Sequence, residues 1–495
     1  MAPDVIIVGG GIAGLAAAYE LHRRHVSFVV LERASRPGGV ILSEELGSFT
    51  IDAGPDALLI QKADGIKLCQ EVGLGDRLVS TLPPRLAFIQ RGGTLHPLPA
   101  ASVLGIPTRV APFVRTGLFS WAAKLRMAAE LFVPVRLDDA DESIGAFMTR
   151  RFGREATTYL AEPLLAGIHA GDVDRLSLRA LFPRFAEAEQ KHGSLLRAFR
   201  RQQRQRRSVE VAPGRRGARA VASGGGGPRE INDGAFKSLP GGLSEMVRAL
   251  VAALPPGVVQ TSTRVTNVTV DGVDRRNGPF RVEIDGGGAH ESCAVVLATP
   301  AWVTASLVHD IDSDLARLCT EVPYSSIATV ALAFPREAVS HPLDGSGYVV
   351  PRVEGGGILA TSWLSSKWPH RAPPGSVLLR TFIGGARDPH ALEQSDADLV
   401  ARSLAAVRPV LAVSGDPLFS RVYRFERASP QHEVGHLDRV KAIEARLAAH
   451  PGLWVTGSGF RGVGIPDCVA DGRATAAQVA EWLATVRLKP DTTVA

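Results

Sequence analysis

Four cysteines in 495 residues, Cys69, Cys293, Cys319 and Cys468, are too few and too scattered for a disulfide framework. No CxxC pair occurs among them, which argues against a structural zinc site and suits a reducing compartment. No apolar stretch approaches the ~20 residues that a membrane-crossing helix needs. The N-terminus lacks a basic n-region, so no leader peptide is expected. Between Arg200 and Glu230 there is no aromatic residue to stack a base, although Arg197 to Arg219 holds nine arginines against one acid, Glu210. That tract contributes about +8 to a net charge of +6, leaving the remainder near −2. The basic balance therefore reports one segment rather than a nucleic-acid surface.

What is present is an ordinary globular composition, 45% apolar and 21% charged, on a chain long enough for two or three domains. The first thirty-odd residues carry the most specific signal. Val5-Ile6-Ile7-Val8 is a short β-branched run, followed at once by Gly9-Gly10-Gly11-Ile12-Ala13-Gly14 and then by apolar residues at helical spacing. A second apolar run, Val26 to Leu31, ends on Glu32 and Arg33. Strand, glycine turn, helix, strand and acid form the dinucleotide-binding unit. Gly9 permits the turn, Gly11 lets a pyrophosphate approach the backbone, and Gly14 allows close helix packing. The helix N-terminus presents unpaired N–H groups and the positive end of its dipole. Glu32 is placed to accept hydrogen bonds from ribose hydroxyls and to repel a 2′-phosphate, which argues against NADP.

Further glycine turns follow at Arg36-Pro37-Gly38-Gly39 and Asp52-Ala53-Gly54-Pro55-Asp56, a helix is expected over 62–79, and a hairpin over 88–99. Residues 100–196 read as helical. There, Leu118, Trp121, Ala122, Leu125, Ala128, Ala129 and Phe132 fall on one helix face, accompanied by Arg115, Lys124, Arg126 and Arg136. The plain reading is a helix packed by this face in a helical subdomain; the alternative is a face resting on a membrane surface. Residues 200–231 lack apolar residues for a core and read as a flexible basic insert. Strand candidates at 258–271, 279–285, 294–298, 325–335, 346–364 and 376–384 follow, with a helix over 396–408. At the far end, Leu453 to Gly457 and Arg461-Gly462-Val463-Gly464-Ile465-Pro466-Asp467-Cys468 repeat the order of strand, glycine turn and helix. A flavin ring needs such backbone donors when its N1/O2 edge turns negative, and a nicotinamide does not. The two turns together point to FAD.

The sequence then resembles a known family. Gly9 to Gly14, Glu32, Arg36 and Gly38-Gly39 are similar to the FAD-binding N-terminus of the amine-oxidase superfamily. Asp52 to Asp56, Glu162 to Asp172, Leu176-Ser177-Leu178, Lys237 to Gly242, Pro430-Gln431-His432-Glu433-Val434-Gly435-His436 and Arg461 to Cys468 resemble its oxygen-dependent porphyrinogen oxidases. The likeness runs from about residue 4 to 486, leaving out the insert and the tail 488–495.

The resemblance implies an α/β protein: a discontinuous Rossmann-like FAD-binding domain (1–80, 236–305 and 435–487), an α+β substrate domain (81–100, 180–199 and 306–434) and a helical, membrane-associated subdomain (101–179). It implies FAD-dependent six-electron oxidation of protoporphyrinogen IX, with coproporphyrinogen III as the alternative, and O2 as acceptor, giving hydrogen peroxide. Amine oxidases, carotenoid desaturases and a non-catalytic tetrapyrrole carrier are the more distant readings. Implied partners are the porphyrinogen, O2 and the next heme-synthesis enzyme, with the chain as monomer or homodimer. It would be cytoplasmic or peripheral on the inner membrane face.

Residue by residue, Arg85 resembles the arginine that meets a substrate propionate, and Trp363 a residue flanking the macrocycle. Gly167 resembles the glycine whose carbonyl faces the pyrrole nitrogens, where it would stabilise positive charge growing on them. Val265 resembles the residue whose backbone meets adenine. Gly9, Gly11, Ile12, Ala13, Gly14, Glu32, Arg33, Gly38, Gly39, Gly54, Pro55, Asp56, Val265, Gly457, Gly462, Val463, Gly464 and Ile465 would hold FAD. His169 is the nearby candidate base, and no metal is expected. Little acid–base equipment is needed, because holding a bridging methylene ~3–3.5 Å from flavin N5 would supply much of the rate.

Overall fold

The structure, a computed structural model, describes residues 2–98, 102–103, 106–107, 110–136, 138–201, 234–270 and 279–487. The insert expected at 200–231 falls outside them from residue 202 on, as does the tail at 488–495.

A five-stranded parallel sheet forms the nucleotide end. Its strands are, in spatial order, Val259–Gln260, Phe28–Leu31, Val5–Val8, Ala294–Leu297 and Leu453–Val455. The three central strands are buried along their whole length, as continuous apolar runs in a covered parallel sheet should be. Helices Ile12–Arg23 and Ile465–Arg487 pack on each other beside it. Their contact needs a glycine, since a Cβ on Gly472 would lie 2.2 Å from the Ala13 carbonyl oxygen.

The second sheet has seven strands in the order Phe419–Pro430, Tyr324–Pro335, Ser376–Gly384, Ala360–Trp363, Gly347–Val349, Phe88–Arg91 and Thr94–Pro97. One face packs on helix Asp396–Leu411 through Val330, Leu332, Phe334, Trp363 and Leu379. The other face meets the nucleotide end. Strand Phe419–Pro430 and helix His436–Leu447 have no counterpart in the sequence reading. The strand is an edge strand that carries Arg421, Arg424, Glu426 and Arg427, charges that blunt an exposed edge and mask its alternation. The helix expected over 62–79 is shorter, Asp64–Glu71, followed by a turn of 3₁₀-helix at Gly75–Arg77.

In the helical region the expected stripe is turned inside out. Helix Trp121–Ala128 and the following turn bury Ala123, Lys124, Met127 and Glu130, while Trp121, Leu125 and Phe132 are 67%, 73% and 83% exposed. The reading of this helix as packed by its apolar face is thus corrected. Buried partners explain the inversion. Glu130 accepts hydrogen bonds from the fully buried Arg151, from Ser194 and from the Leu195 amide, and Lys124 Nζ donates to the Val114 carbonyl at 2.9 Å.

Candidate active site

The glycine turn after Val8 is shaped by contacts that leave one position open. A Cβ on Gly9 would lie 2.7 Å from the Ala298 carbonyl, and one on Gly14 2.0 Å from that of Gly9. Around a Cβ on Gly11 there is nothing within 4 Å. Gly11 is also the N-cap of helix Ile12–Arg23, and no side chain caps it. An open cradle at a bare helix N-terminus suits a pyrophosphate. Glu32, at the end of the second strand, takes the Gly10 amide on Oε2 at 2.7 Å and the Ala34 amide on Oε1 at 2.8 Å. Each carboxylate oxygen keeps a lone pair for a ribose hydroxyl. The Thr263 amide donates to the Glu32 carbonyl at 2.8 Å, which brings the start of strand Val265–Val270 beside the acid. Val265 itself points its side chain into the apolar core, leaving only its backbone for a ligand. Arg33 is exposed.

The Gly38-Gly39 turn closes on this cradle. Both glycines have positive φ, the Gly38 amide donates to the Gly10 carbonyl at 2.7 Å, and a Cβ on Gly39 would be 3.4 Å from Gly11 Cα. Arg36 folds over its own turn, donating to the carbonyls of Gly39 and Ile41. The C-terminal turn arrives at the same place: a Cβ on Gly457 would lie 3.7 Å from Ala13 Cβ. Asp471 holds that turn by accepting from the Gly457 amide at 2.9 Å, from Thr456 Oγ1 and from Arg461. Gly462, Val463 and Gly464 lead into helix Ile465–Arg487. Asp467 accepts from the Gly464 amide and pairs with Lys62 at 2.6 Å, and Ile465 is buried against Ile12 and Leu58. The two distant turns thus meet at two adjoining helix N-termini.

The Asp52–Asp56 turn joins the two sheets. Thr329 Oγ1 donates to the Ala53 carbonyl at 2.8 Å, and Arg380 donates to the carbonyls of Asp52 and Gly54. Gly54 and Pro55 remain half-exposed. Asp56, expected among the cofactor residues, is instead buried against the seven-stranded sheet, where it meets Lys367 Nζ at 2.7 Å, Trp368 Nε1 at 2.9 Å and Arg380 at 3.3 Å. Burial alone would raise its pKa, but these cations and the indole N–H outweigh it and hold the carboxyl well below the usual range. A second buried pair, Asp52 with Arg371 at 2.8 Å, supports the same turn, and Arg371 also donates to the carbonyls of Leu239 and Pro240. Sequence reasoning missed Arg371 and Arg380, because a buried arginine whose partners lie more than 100 residues away leaves no local pattern.

Along one row of the seven-stranded sheet stand Tyr423, Thr329, Phe382, Ala360 and Val349, paired in register on the face toward the nucleotide end. Ala53 sits on Thr329 at one end of the row. Gly167 sits at the other, where an added Cβ would be 3.2 Å from Val349 and 3.7 Å from Ala360. The turn and the glycine are therefore about two to three strand spacings apart, ~10–15 Å, with half-buried Phe382 between them. Gly167 belongs to helix Glu162–His169, which continues a π-helical stretch at Thr157–Ala161. Pro163 cannot donate to the Tyr159 carbonyl, and its ring would collide with it; the wider π turn around Tyr159 relieves both.

His169 ends this helix. Burial, with the nearby Lys62 charge, lowers its pKa to about 4, so the ring is neutral at pH 7 and a weak proton acceptor. Arg85, with positive φ and its Nε bonded to the Thr81 carbonyl at 2.9 Å, stands four residues before Ile89, whose sheet neighbour is Val349. Trp363 is corrected. Side chains alternate along Ala360–Trp363, so Trp363 faces away from Gly167 and is fully buried among Phe88, Tyr348 and His341. Among the described residues no cluster of metal-ligating side chains is found.

Two distant glycine turns meeting at adjoining helix N-termini, with a largely antiparallel second sheet, mark a flavoprotein oxidoreductase fold. The chain belongs to the flavin-containing amine oxidoreductase family, which it matches over residues 12–480, and its cofactor is FAD. More particularly, it is 34% identical over 486 residues to the coproporphyrinogen III oxidase of Bacillus subtilis, covering 97% of this chain and 98% of that one. It is 32% identical over 485 residues to the coproporphyrinogen III oxidase of Staphylococcus aureus, covering 97% and 99%. The crystal structure of a protein described as a protoporphyrinogen oxidase, from Exiguobacterium sp. 255-15, superposes with a TM-score of 0.82 at 30% identity, covering 96% of this chain and 98% of that one.

Proposed function

We propose that the protein oxidises coproporphyrinogen III to coproporphyrin III with O2 as acceptor, giving hydrogen peroxide. The carrying observation is that Gly167 and the Asp52–Asp56 turn lie on one sheet face, about two to three strand spacings apart, room for a planar ring system between them. Relatives described as coproporphyrinogen III oxidases, at 34% and 32% identity over nearly the whole chain, support this substrate over protoporphyrinogen IX, the default of the sequence reading. FAD supplies two-electron acceptance in each of three rounds. The chain supplies placement. The Gly167 carbonyl is assigned to stabilise positive charge developing on the pyrrole nitrogens, and the neutral ring of His169 is the candidate acceptor for a released proton. The floor row and Ile168, 61% exposed beside Gly167, offer apolar contact to the macrocycle. Arg85 is assigned to a propionate.

The test is anaerobic: purified protein is mixed with each porphyrinogen and the yellow flavin band is followed. Bleaching by coproporphyrinogen III faster than by protoporphyrinogen IX is expected. Bleaching by an amine and by neither porphyrinogen would sink the reading.

We also assign the exposed face of Trp121, Leu125 and Phe132, with Val114, to an anionic lipid surface. Arg115 and Arg197 are exposed at its rim, and Arg197 donates to the Leu131 carbonyl at 3.0 Å, next to Phe132. Large apolar side chains with a basic rim fit an interfacial site. No helix among the described residues is long and apolar enough to cross a membrane. Co-sedimentation with vesicles containing phosphatidylglycerol is expected for the wild type and lost in the Trp121→Glu, Leu125→Glu double variant. Equal sedimentation of the two proteins would refute the assignment.

A further inference from the structure

The stretch Gln431 to His436 joins three parts of the chain that are otherwise far apart. Gln431 Nε2 donates to the His169 carbonyl at 3.0 Å, and Ser429 Oγ donates to the same oxygen at 2.9 Å. That carbonyl closes the Gly167 helix. His432 Nε2 lies 2.9 Å from the Ser458 carbonyl, and His436 Nε2 lies 2.9 Å from that of Phe460. Both carbonyls belong to the C-terminal flavin turn. The backbone adds a third link, since the Ser177 amide donates to the His432 carbonyl at 2.8 Å and Leu176 bridges to Glu433.

The tautomers follow from the partners. A carbonyl can only accept, so both Nε2 atoms carry hydrogen and both Nδ1 atoms are bare. The two rings stack with centroids 3.8 Å apart at an interplanar angle of 11°. His436 is fully buried and its Nδ1 has no partner. Burial disfavours charge on either ring, and the stack would set a charged ring against its neighbour, so both are neutral donors. Burial, then the neighbouring His436, lowers the pKa of His432 to about 3, in keeping with this arrangement. Space for the links is reserved at Gly171, where a Cβ would fall 2.5 Å from Gln431 Oε1 and 2.7 Å from Leu176 Cδ1.

We propose that Gln431, His432 and His436 are positioning residues, a clasp that fixes the flavin turn at Ser458–Phe460 against the end of the Gly167 helix. Without it the two walls of the site hang on separate elements, the edge strand of the parallel sheet and a short helix after a π turn. Small displacements between them would change the approach of substrate to the flavin, which is where placement carries rate. The inference rests on the functional reading above only in what is being placed.

The test uses holoenzyme variants His432→Leu and His436→Leu, with His432→Gln and His436→Gln as rescues, because a glutamine amide can donate from nearly the place of Nε2. Three quantities are read: the visible spectrum and midpoint potential of bound FAD, the anaerobic rate of flavin bleaching by coproporphyrinogen III, and thermal stability. The leucine variants are expected to shift the flavin spectrum and potential and to bleach roughly tenfold more slowly, the scale of one lost hydrogen bond. The glutamine variants should recover most of both. Gln431→Met, which touches only the helix side, should slow bleaching and leave the spectrum alone, and it carries the test if a leucine variant fails to fold. Wild-type spectrum and rate in the leucine variants, or glutamines no better than leucines, would overturn the clasp. A wild-type enzyme that no porphyrinogen bleaches would sink the substrate reading instead, while the spectral shift in the leucine variants would still decide the clasp.

Discussion

Gly11 and Gly14 are three residues apart in one turn, yet their missing Cβ atoms serve different ends. At Gly14 the space is taken by the Gly9 carbonyl, 2.0 Å from an added Cβ, so Gly14→Ala must push the helix from the sheet. A loss of several kcal/mol of stability, of the order of other overpacked sites (~1–3 kcal/mol or more), is expected with or without FAD. At Gly11 the space is empty, so Gly11→Ala should leave apoprotein melting unchanged and weaken FAD binding, by about tenfold or more, because the methyl occupies the pyrophosphate's place. Calorimetric melting of apoprotein and FAD titration separate the two outcomes; equal melting of both variants would contradict the division. Glu32→Gln belongs with Gly11. Its amide nitrogen would face one of the two backbone N–H donors at Gly10 or Ala34, so FAD affinity should fall by roughly tenfold with the fold kept. The turn geometry behind these assignments was legible from spacing alone because the whole unit is local. Trp363 was not. Its role depends on which face of a strand it occupies, and a shift of one residue reverses that.

At the scale of elements, buried charge and buried histidine set opposite demands. The Asp52–Arg371 pair is fully buried and anchors the turn between the two sheets. Arg371→Leu would strand a buried carboxylate, and a cost of ~3–5 kcal/mol is expected, read as a lowered denaturation midpoint. His169, His432 and His436 all have folded-state pKa values below the ordinary one, through burial first. The unfolded chain therefore binds more protons than the native one below pH ~6.5, and stability rises with pH through that range. It should be fully present above pH ~6.5 and decline as pH falls toward about 4 and about 3, the native values of His169 and His432. Chemical denaturation at pH 7.5, 6 and 5 checks this, and a flat profile would contradict it. The sequence located these histidines in recognisable motifs but not their stacking, because the partners at Ser458 and Phe460 are fixed only by the tertiary fold. The exposed stripe at Trp121 to Phe132 carries a similar lesson. Amphipathic spacing identified the helix, but its orientation was settled by Glu130, Arg151 and Lys124, which needed burial together.

For the whole molecule, FAD is a structural member as well as a cofactor. On the proposed placement, where the glycine turns of Gly9–Gly14, Gly38–Gly39 and Gly457–Gly464 adjoin, it would bind the native state alone. At a free concentration 100 times its dissociation constant it should stabilise the fold by about 2.7 kcal/mol. Removal of FAD is expected to lower the melting temperature and restoration to recover it; a melting temperature indifferent to FAD would count against the shared cradle. The α/β class was readable from the alternation of strands and helices, and FAD as the cofactor from two short motifs. The seven-stranded floor was only partly so, since its charged edge strand looks like surface loop.

Leu453–Val455 is the last strand of the parallel sheet and the last to be made. During synthesis the Val5–Val8 strand waits more than 440 residues for that edge, and helix Ile12–Arg23 waits longer still for the helix around Gly472. Contacts of such sequence separation form late and slowly. The nascent chain must carry its cofactor turn half-built until Ile465–Arg487 has been made, so FAD can be captured firmly only by a chain from which that helix has emerged. Truncation within that helix should therefore yield colourless protein, whatever is intact upstream.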